Sequence, residues 1–265
     1  MRLLLDLGNS RLKWACATAP AAAWDASGSV DWSCDVSVRL QQAWADLMPP
    51  QDIVGASVVD GAREAQVAAA CVARFGLAPR WLRTPLAACG VRNGYEQPQR
   101  LGVDRFLAMV AARAAGRAPC VVASAGTALT LDALAADGQH LGGWIVPGVH
   151  AMRQALADNT ARVVVECTGS VTDLARNTED AVASGCWHAL AAAIERFAAR
   201  AQPRLGATPT LLLGGGDAPA LLPWLNVPAQ LMADSVLRGL AHWAHWAQDA
   251  TLTPDAQADA SVGRA

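Results

Sequence analysis

The sequence has few charged residues and no long apolar run, and these two absences exclude several classes of protein. Charged residues make up 17% of the 265 positions and hydrophobic residues 53%, which excludes an intrinsically disordered chain. The net charge of −2 offers no electrostatic basis for binding nucleic acid or an anionic membrane. No apolar stretch approaches the roughly 20 residues that a membrane-spanning helix needs. We therefore expect a globular protein with a sizeable core, no membrane segment and no direct nucleic-acid binding.

The sequence also lacks any Cys-x-x-Cys spacing, although it contains seven cysteines. An odd number of cysteines without that spacing argues against a disulfide framework or a cysteine metal cluster. We expect reduced and mostly buried thiols, which are typical of a cytoplasmic protein. The opening Met-Arg-Leu-Leu-Leu resembles the start of a signal peptide, but Asp6 interrupts it, and we predict no targeting segment.

Two common nucleotide-binding fingerprints, Gly-x-x-x-x-Gly-Lys-Ser/Thr and Gly-x-Gly-x-x-Gly, are absent. Instead, a short apolar strand leads into Asp6 and then into a polar turn that contains Gly8 and Ser10. Backbone N–H groups of such a turn and the Ser10 hydroxyl can hold phosphate oxygens, Lys13 adds positive charge, and Asp6 can orient Mg²⁺. The alternative is a turn without a ligand, because many strands end in Asp-x-Gly only to reverse direction.

The pattern of strand, glycine turn and strand returns in the second half of the chain, at Gly126-Thr127. This recurrence predicts an internal duplication into two α/β lobes with mixed sheets, at residues 1–116 and 117–250, followed by a disordered tail at 251–265. A third glycine-rich turn, at residues 214–217, follows another buried strand. Three such turns are typical of the nucleotide site of actin-like phosphotransferases, and three unrelated turns are the alternative.

Asp104 is the candidate catalytic residue. It precedes Arg105 at the start of a helix predicted over residues 106–115, where a carboxylate can accept the proton of a substrate hydroxyl. The guanidinium of Arg105 can hold an anionic group of the same substrate. The alternative interpretation is that Asp104 only caps the helix, since Asp is a favoured N-cap residue.

Six motifs follow one another along the chain, namely Asp6-Leu-Gly-Asn-Ser10, Gly102-Val-Asp-Arg105, Gly126-Thr-Ala128, Gly143-Trp-Ile-Val-Pro-Gly148, Asn177-Thr178 and Gly214-Gly-Gly-Asp217. They stand in the order found in type III pantothenate kinases, also called the Bvg accessory factor family, and the chain resembles that family from residue 1 to about residue 240. The resemblance implies an α/β fold of the actin-like ATPase (ribonuclease H-like) class, with two duplicated lobes whose mixed sheets are flanked by helices. It also implies transfer of the ATP γ-phosphate to pantothenate, which gives 4'-phosphopantothenate in the first step of coenzyme A biosynthesis.

The resemblance further implies roles for individual residues. Those implied to bind ATP with Mg²⁺ are Asp6, Leu7, Gly8, Asn9, Ser10, Arg11, Leu12, Lys13 and Thr127, with Asp6 acting on Mg²⁺ indirectly. Those implied to bind pantothenate are Tyr95, Gly102, Val103, Asp104, Arg105 and Thr178, with Asp104 as the catalytic base. Tyr95 is the only tyrosine in the chain, and without the resemblance it would be interpreted as a half-buried packing residue. Because the family typically forms dimers, a homodimer is expected, and the apolar helix at 106–115 is one surface that could pack against a second copy.

One position departs from the family pattern. The family usually has Asp-x-Gly-Thr in the second lobe, where the aspartate binds a monovalent cation such as K⁺ or NH₄⁺, and this chain has Ser124 instead. Two outcomes are open: the cation site is lost, or it persists on backbone carbonyls with Ser124 as a weak ligand and the Asp132 carboxylate nearby. The departure also leaves open a non-catalytic accessory protein that acts through a protein partner. Another alternative, an actin-like kinase for a sugar, is disfavoured by the match at residues 95–105.

Overall fold

The computed structural model describes residues 1–20, 23–159 and 169–252, which form two compact units. Residues 1–83 and the chain from Val236 onward form the first unit, and Thr84–Ser235 forms the second. The predicted lobe boundary between residues 116 and 117 stays a prediction. The predicted tail begins inside the last helix, which continues to Leu252, and residues 253–265 lie outside the described part of the chain.

The strands and the helices of the described residues are given separately, each in chain order. The strands are β1 (Arg2–Leu7), β2 (Arg11–Ala17), β3 (Ala26–Asp31), β4 (Asp52–Ser57), β5 (Arg80–Leu82), β6 (Ala87–Ala88), β7 (Val91–Arg92), β8 (Cys120–Ala125), β9 (Ala128–Leu134), β10 (His140–Pro147), β11 (Thr210–Gly214) and β12 (Ala229–Leu231). The helices are α1 (Val36–Ala43), α2 (Gly61–Phe75), α3 (Val103–Ala114), α4 (Val149–Asn159), α5 (Thr178–Leu205), α6 (Ala218–Leu221) and α7 (Ser235–Leu252).

The first unit is built on a five-stranded sheet with the order β3-β2-β1-β4-β5. β1 pairs antiparallel with β2 and parallel with β4, so the sheet is mixed. Alternate residues of a strand point to opposite faces, and Leu3, Leu5 and Leu7 share one buried cluster with residues of α1 and α2. Asp6 therefore lies on the other face of β1, at the carboxyl end of the strand.

The second unit repeats this plan. Its sheet has the order β10-β9-β8-β11-β12, in which two antiparallel pairs are followed by two parallel pairs, as at the corresponding positions of the first sheet. The duplication predicted from the recurring glycine turns is therefore present in the sheets. On β9, Leu131 and Ala133 belong to the core that contains residues of α5, which leaves Asp132 on the opposite face of the strand.

Helix α3 packs on this sheet within its own chain. Nine of its twelve residues are buried, including Arg105 and Phe106, and a helix buried on all sides is a core element. This burial favours a core helix over a surface that packs against a second copy, and the homodimer stays a prediction.

Two further findings concern the described residues only. None of their helices combines the length and hydrophobicity that crossing a membrane requires. Their six cysteines are all free thiols, and Cys16, Cys71, Cys120 and Cys186 are buried.

Candidate active site

The first glycine turn closes the hairpin of β1 and β2. The amide of Gly8 donates to the carbonyl of Arg11 at 3.1 Å, and the Trp32 indole donates to the carbonyl of Gly8 at 2.7 Å. Asp6 lies opposite Lys13 in the strand register. These contacts fix the turn from inside the first unit and bring a carboxylate and an ammonium group to the two strands that flank it.

The side chains of this segment divide into buried and exposed groups. Leu7 and Leu12 are fully buried core residues, so only their backbone groups can contact a ligand. Asn9, Ser10 and Arg11 are exposed, and Arg11 forms a surface ion pair with Asp31 at 3.4 Å. The segment therefore offers a ligand backbone groups and polar side chains, as a phosphate site requires.

The second glycine turn lies beside two other glycine segments of the second unit. The amide of Gly126 donates to the carbonyl of Ala128, and the amide of Gly148 donates to that of Thr127, each at 3.1 Å. A Cβ atom on Gly148 would overlap this turn, and one on Gly215, whose φ is +92°, would overlap the carbonyl of Ala125. The structure thus brings the predicted turns at Gly126 and Gly214–Gly216 together, and Thr127 is exposed in the first of them.

Asp104 occupies the first turn of α3. The helix begins at Val103 with Gly102 as its N-cap residue, three residues earlier than predicted. The interpretation of Asp104 as the N-cap is therefore wrong. Its carboxylate accepts a hydrogen bond from the amide of Arg105 at 2.8 Å, and a Cβ atom on Gly102 would lie 2.5 Å from the same carboxylate oxygen. Glycine at position 102 leaves the space that the Asp104 carboxylate uses.

Burial raises the pKa of the Asp104 carboxyl above its ordinary value of 3.8. The amide hydrogen bond and the charge of Arg105 act in the opposite direction, and the charge of Asp132 adds to the increase. A carboxylate that is partly withheld from water is a stronger proton acceptor than an exposed one, which suits a general base.

Arg105 lies deep in the site. Its Nε donates to Oδ2 of Asp132 at 2.9 Å, and its Nη2 donates to Oδ1 at 2.7 Å. The two side chains are only 5% and 3% exposed. Burial opposes the charged form of Arg105, but its hydrogen bonds and the charge of Asp132 outweigh that effect and raise its pKa. Asp132 thus neutralises Arg105, which limits the charge that Arg105 can offer to an anionic substrate group.

Tyr95 and His140 complete the cluster. The Nη1 of Arg105 donates to the Tyr95 hydroxyl at 2.7 Å, and the Tyr95 ring stacks on His140 with a centroid distance of 5.8 Å and an angle of 19°. The Nε2 of His140 lies 2.9 Å from Oδ1 of Asp132. Tyr95 and Arg105 are therefore in direct contact, with Asp104 next to Arg105 in the first turn of α3, and their binding of pantothenate stays a prediction.

The segment that carries Tyr95 is attached to the turn between β9 and β10. Arg92 donates from Nη2 to Asp137 at 2.6 Å and from Nε to Gln139 at 3.1 Å. A Cβ atom on Gly94 would overlap the carbonyl of His140, so the segment approaches β10 more closely than a larger residue allows. These contacts place the Tyr95 segment in the second unit.

Ser124 and Thr178 remain outside this cluster. Ser124 is half-buried on β8 opposite Thr130, and the nearby Asp132 carboxylate is occupied by Arg105 and His140. No group of three or more His, Cys, Asp or Glu residues suited to a metal ion occurs among the residues that the structure describes. Thr178 is the exposed first residue of α5 after the N-cap Asn177, and within the described ranges it has no recorded hydrogen bond to Tyr95, Asp104 or Arg105.

Sequence reasoning missed His140 and Trp32. It considered Asp132 only as a carboxylate near the cation site at Ser124. Asp132 had one detectable signal, since it is a charged residue between apolar Leu131 and Ala133 in a predicted strand. Such a carboxylate needs a buried partner. His140 and Trp32 gave no signal, because their contacts join residues far apart in the sequence.

Comparison with known sequences gives one consistent family. The family model described as Type III pantothenate kinase matches residues 2–200. A type III pantothenate kinase from Aromatoleum aromaticum is 41% identical over 245 residues, which cover 91% of this chain and 96% of that protein. One from Laribacter hongkongensis is 40% identical over 250 residues, covering 92% of this chain and 98% of that protein.

Comparison with solved structures concerns the fold alone, because the identities are low. A Baf family protein from Campylobacter jejuni, described as a transcriptional activator, aligns with a TM-score of 0.59 and 20% identity, covering 93% of this chain and 99% of that one. Component A of (R)-2-hydroxyglutaryl-CoA dehydratase from Acidaminococcus fermentans aligns with a TM-score of 0.55 and 12% identity, covering 94% and 98%. Together with the duplicated sheets, these similarities confirm the predicted actin-like ATPase fold.

Proposed function

The chain belongs to the type III pantothenate kinase family, and on that premise we propose that it transfers the γ-phosphate of ATP to the primary hydroxyl of pantothenate. The observation that carries this proposal is the grouping of Asp104, Arg105 and Tyr95 around the start of α3. The Asp104 carboxylate can accept a proton from a small polar alcohol, and the Tyr95 hydroxyl and the Arg105 guanidinium can form hydrogen bonds with it. Neither alternative function has a comparable observation in its favour.

Asp104 acts as the base in this reaction. The pantothenate hydroxyl oxygen attacks the γ-phosphorus, the bond from that phosphorus to the leaving oxygen of ADP breaks, and Asp104 takes the hydroxyl proton. Burial raises the pKa of Asp104, which makes its carboxylate a stronger proton acceptor than an exposed one. Catalysis otherwise depends on positioning, since phosphoryl transfer requires little covalent work from the protein.

Residues 6–13 of the first unit are proposed to hold ATP with Mg²⁺, and Thr127 is proposed separately as an ATP contact. The donor chemistry of the first turn fits such a ligand, because it combines the Asp6 carboxylate, the Ser10 hydroxyl, backbone amides and the Lys13 ammonium group. When bound, Mg²⁺ neutralises charge that develops on the phosphates. Asp6 would orient water on the ion, and the amides of the turn and the Thr127 hydroxyl would hold phosphate oxygens.

Tyr95, Gly102, Val103, Arg105 and Thr178 are proposed to bind pantothenate. Val103 is 6% exposed, so its contribution is a backbone contact or apolar packing. Thr178 is exposed at the start of α5, and the family's dimers offer a reason for an exposed substrate residue, since a second copy can bring its Thr178 to the site. Exposed apolar side chains elsewhere in the second unit support a homodimer, namely Ile145 at 65% and Leu174 at 90% exposure. We place the enzyme in the cytoplasm, in keeping with its free thiols.

The monovalent cation is absent from the proposed mechanism. Ser124 supplies no charge, and Asp132 is already paired with Arg105 and close to His140. Of the two outcomes that the sequence leaves open, these observations favour loss of the cation site.

An acceptor panel tests the proposal. Purified protein with Mg²⁺ and ATP is assayed for ADP release with pantothenate, glucose, N-acetylmannosamine or no acceptor. We expect release that depends on pantothenate alone. Release with a sugar instead would identify a sugar kinase, and no release with any acceptor from folded protein, with or without K⁺, would support the accessory function.

A further inference from the structure

We infer that Asp132 and His140 are positioning residues that, through Arg105, orient the Tyr95 hydroxyl as a hydrogen-bond donor toward pantothenate. The inference rests on the proposed function and adds two residues and a direction of hydrogen bonding to it.

The direction of the Tyr95 hydrogen bond is fixed by the chemistry of Arg105. A guanidinium has N–H donors and no acceptor, so the Tyr95 oxygen accepts the bond from Nη1 at 2.7 Å. The phenolic proton is then left for another acceptor, and among the described residues no hydrogen bond from that hydroxyl is recorded. A substrate oxygen beside Asp104 is a suitable acceptor, so Tyr95 donates to pantothenate.

Asp132 keeps Arg105 in this arrangement. Both carboxylate oxygens of Asp132 accept from Arg105, and a two-point contact fixes the guanidinium plane as well as its position. Rotating Arg105 away would leave a carboxylate that is only 3% exposed without its main partner. A Cβ atom on Gly143 would lie 2.5 Å from Nη2 of Arg105 and 2.6 Å from Oδ1 of Asp132, so glycine there leaves space for the pair.

His140 supports the other side of Tyr95. Its side chain is fully buried, its Nδ1 has no hydrogen-bond partner in the described ranges, and its Nε2 lies close to Asp132 without forming a well-aligned hydrogen bond. A buried imidazole with an unpaired nitrogen is costly, and an apolar ring would fill the same space without that cost. What the imidazole adds is the contact with Asp132 combined with a flat surface against the Tyr95 ring.

The kinetic test separates positioning from folding. In Asp132→Asn we expect the KM for pantothenate to rise about tenfold or more, because one hydrogen bond to the substrate is weakened. The KM for ATP should stay within about twofold of the wild-type value. Asp52→Asn is the matched control, because Asp52 also binds arginines, Arg80 at 2.7 Å and Arg2 at 3.3 Å, but lies on β4 in the first unit. The control leaves both KM values unchanged.

Two further variants test whether Asp132 affects pantothenate binding through Tyr95. Tyr95→Phe removes the donor, so adding Asp132→Asn to it raises the KM for pantothenate little further, whereas independent effects would multiply. Because Asp132→Asn leaves a buried Arg105 cation and can fail to fold, His140→Phe provides a second route. This variant keeps a ring against Tyr95 and removes the contact with Asp132. We expect it to raise the KM for pantothenate severalfold, which is less than the increase expected for Asp132→Asn.

The outcomes distinguish this inference from the proposed function. If the wild-type protein phosphorylates pantothenate and the variants lower kcat with an unchanged KM for pantothenate, the positioning role is wrong and the function stands. Multiplying effects of Asp132→Asn and Tyr95→Phe also overturn the inference. If the folded wild-type protein forms no phosphorylated pantothenate, the function fails and the inference fails with it.

Discussion

The hairpin of β1 and β2 and the hairpin of β8 and β9 share one backbone plan and differ in charge. Each starts a sheet with the same strand order and turns at a glycine whose amide hydrogen-bonds across the turn. In the first hairpin Asp6 lies opposite Lys13, and in the second Ser124 lies opposite Thr130. The plan depends on apolar alternation and a turn glycine, which both halves retain, whereas the charge depends on the two side chains of one cross-strand pair. In the second unit the carboxylates of the site stand instead on α3 and β9, at Asp104 and Asp132.

The largest effect is expected from Asp104→Asn. Loss of the base should lower kcat with pantothenate by about 10²–10⁴-fold, measured by ADP release. Asp35→Asn is a suitable control, because Asp35 is an exposed aspartate at the start of α1 and asparagine caps a helix equally well. An unchanged rate in Asp104→Asn would remove Asp104 from the role of base.

The comparison of the hairpins is tested next by substituting the two corresponding positions, Asp6 and Ser124, separately. Asp6→Asn should lower kcat by about 10²–10³-fold and raise the Mg²⁺ concentration needed for half-maximal rate, because it removes the carboxylate that orients water on the ion. Ser124→Ala should have a far smaller effect. Equal losses in the two variants would contradict the assignment of metal and phosphate chemistry to the first hairpin.

Asp104→Asn should also change stability, in the opposite direction to its effect on activity. Burial raises the pKa of Asp104 above its unfolded value of 3.8, so the folded state binds more protons between the two pKa values. Stability contributed by this group therefore falls as pH rises from the unfolded pKa through the folded pKa. The variant should melt at a higher temperature than wild type at neutral pH, and the difference should shrink below about pH 3.8. A lower melting temperature at every pH would contradict this account of Asp104.

The smallest effect concerns the monovalent cation. We expect the wild-type rate to be the same in potassium and choline chloride at equal ionic strength, because Ser124 carries no charge and Asp132 is paired. Ser124→Asp should introduce a dependence on K⁺ by restoring a carboxylate to the second hairpin. A wild-type rate that requires K⁺ would mean that backbone carbonyls suffice to hold the ion.

The fold and part of the site were predictable because their signals are local. Alternating apolar residues and turn glycines indicated both hairpins, and the motif at residues 102–105 indicated Asp104. The beginning of α3 at Val103 was missed because Gly102, rather than an acidic residue, is its N-cap. The ion pair of Arg105 with Asp132 was missed because Asp132 is 27 residues away in sequence. The two residues meet only through the packing of α3 on β9. His140 reaches the same place from a third element, with no local pattern to mark it.

The most direct test of the account identifies the product itself. Wild-type protein is incubated with Mg²⁺, ATP and pantothenate without potassium, and both products are quantified by mass spectrometry. The account predicts 4'-phosphopantothenate and ADP in equal amounts, at a rate that Asp104→Asn reduces by at least about a hundredfold. ADP without phosphopantothenate, or neither product from folded protein, would contradict it.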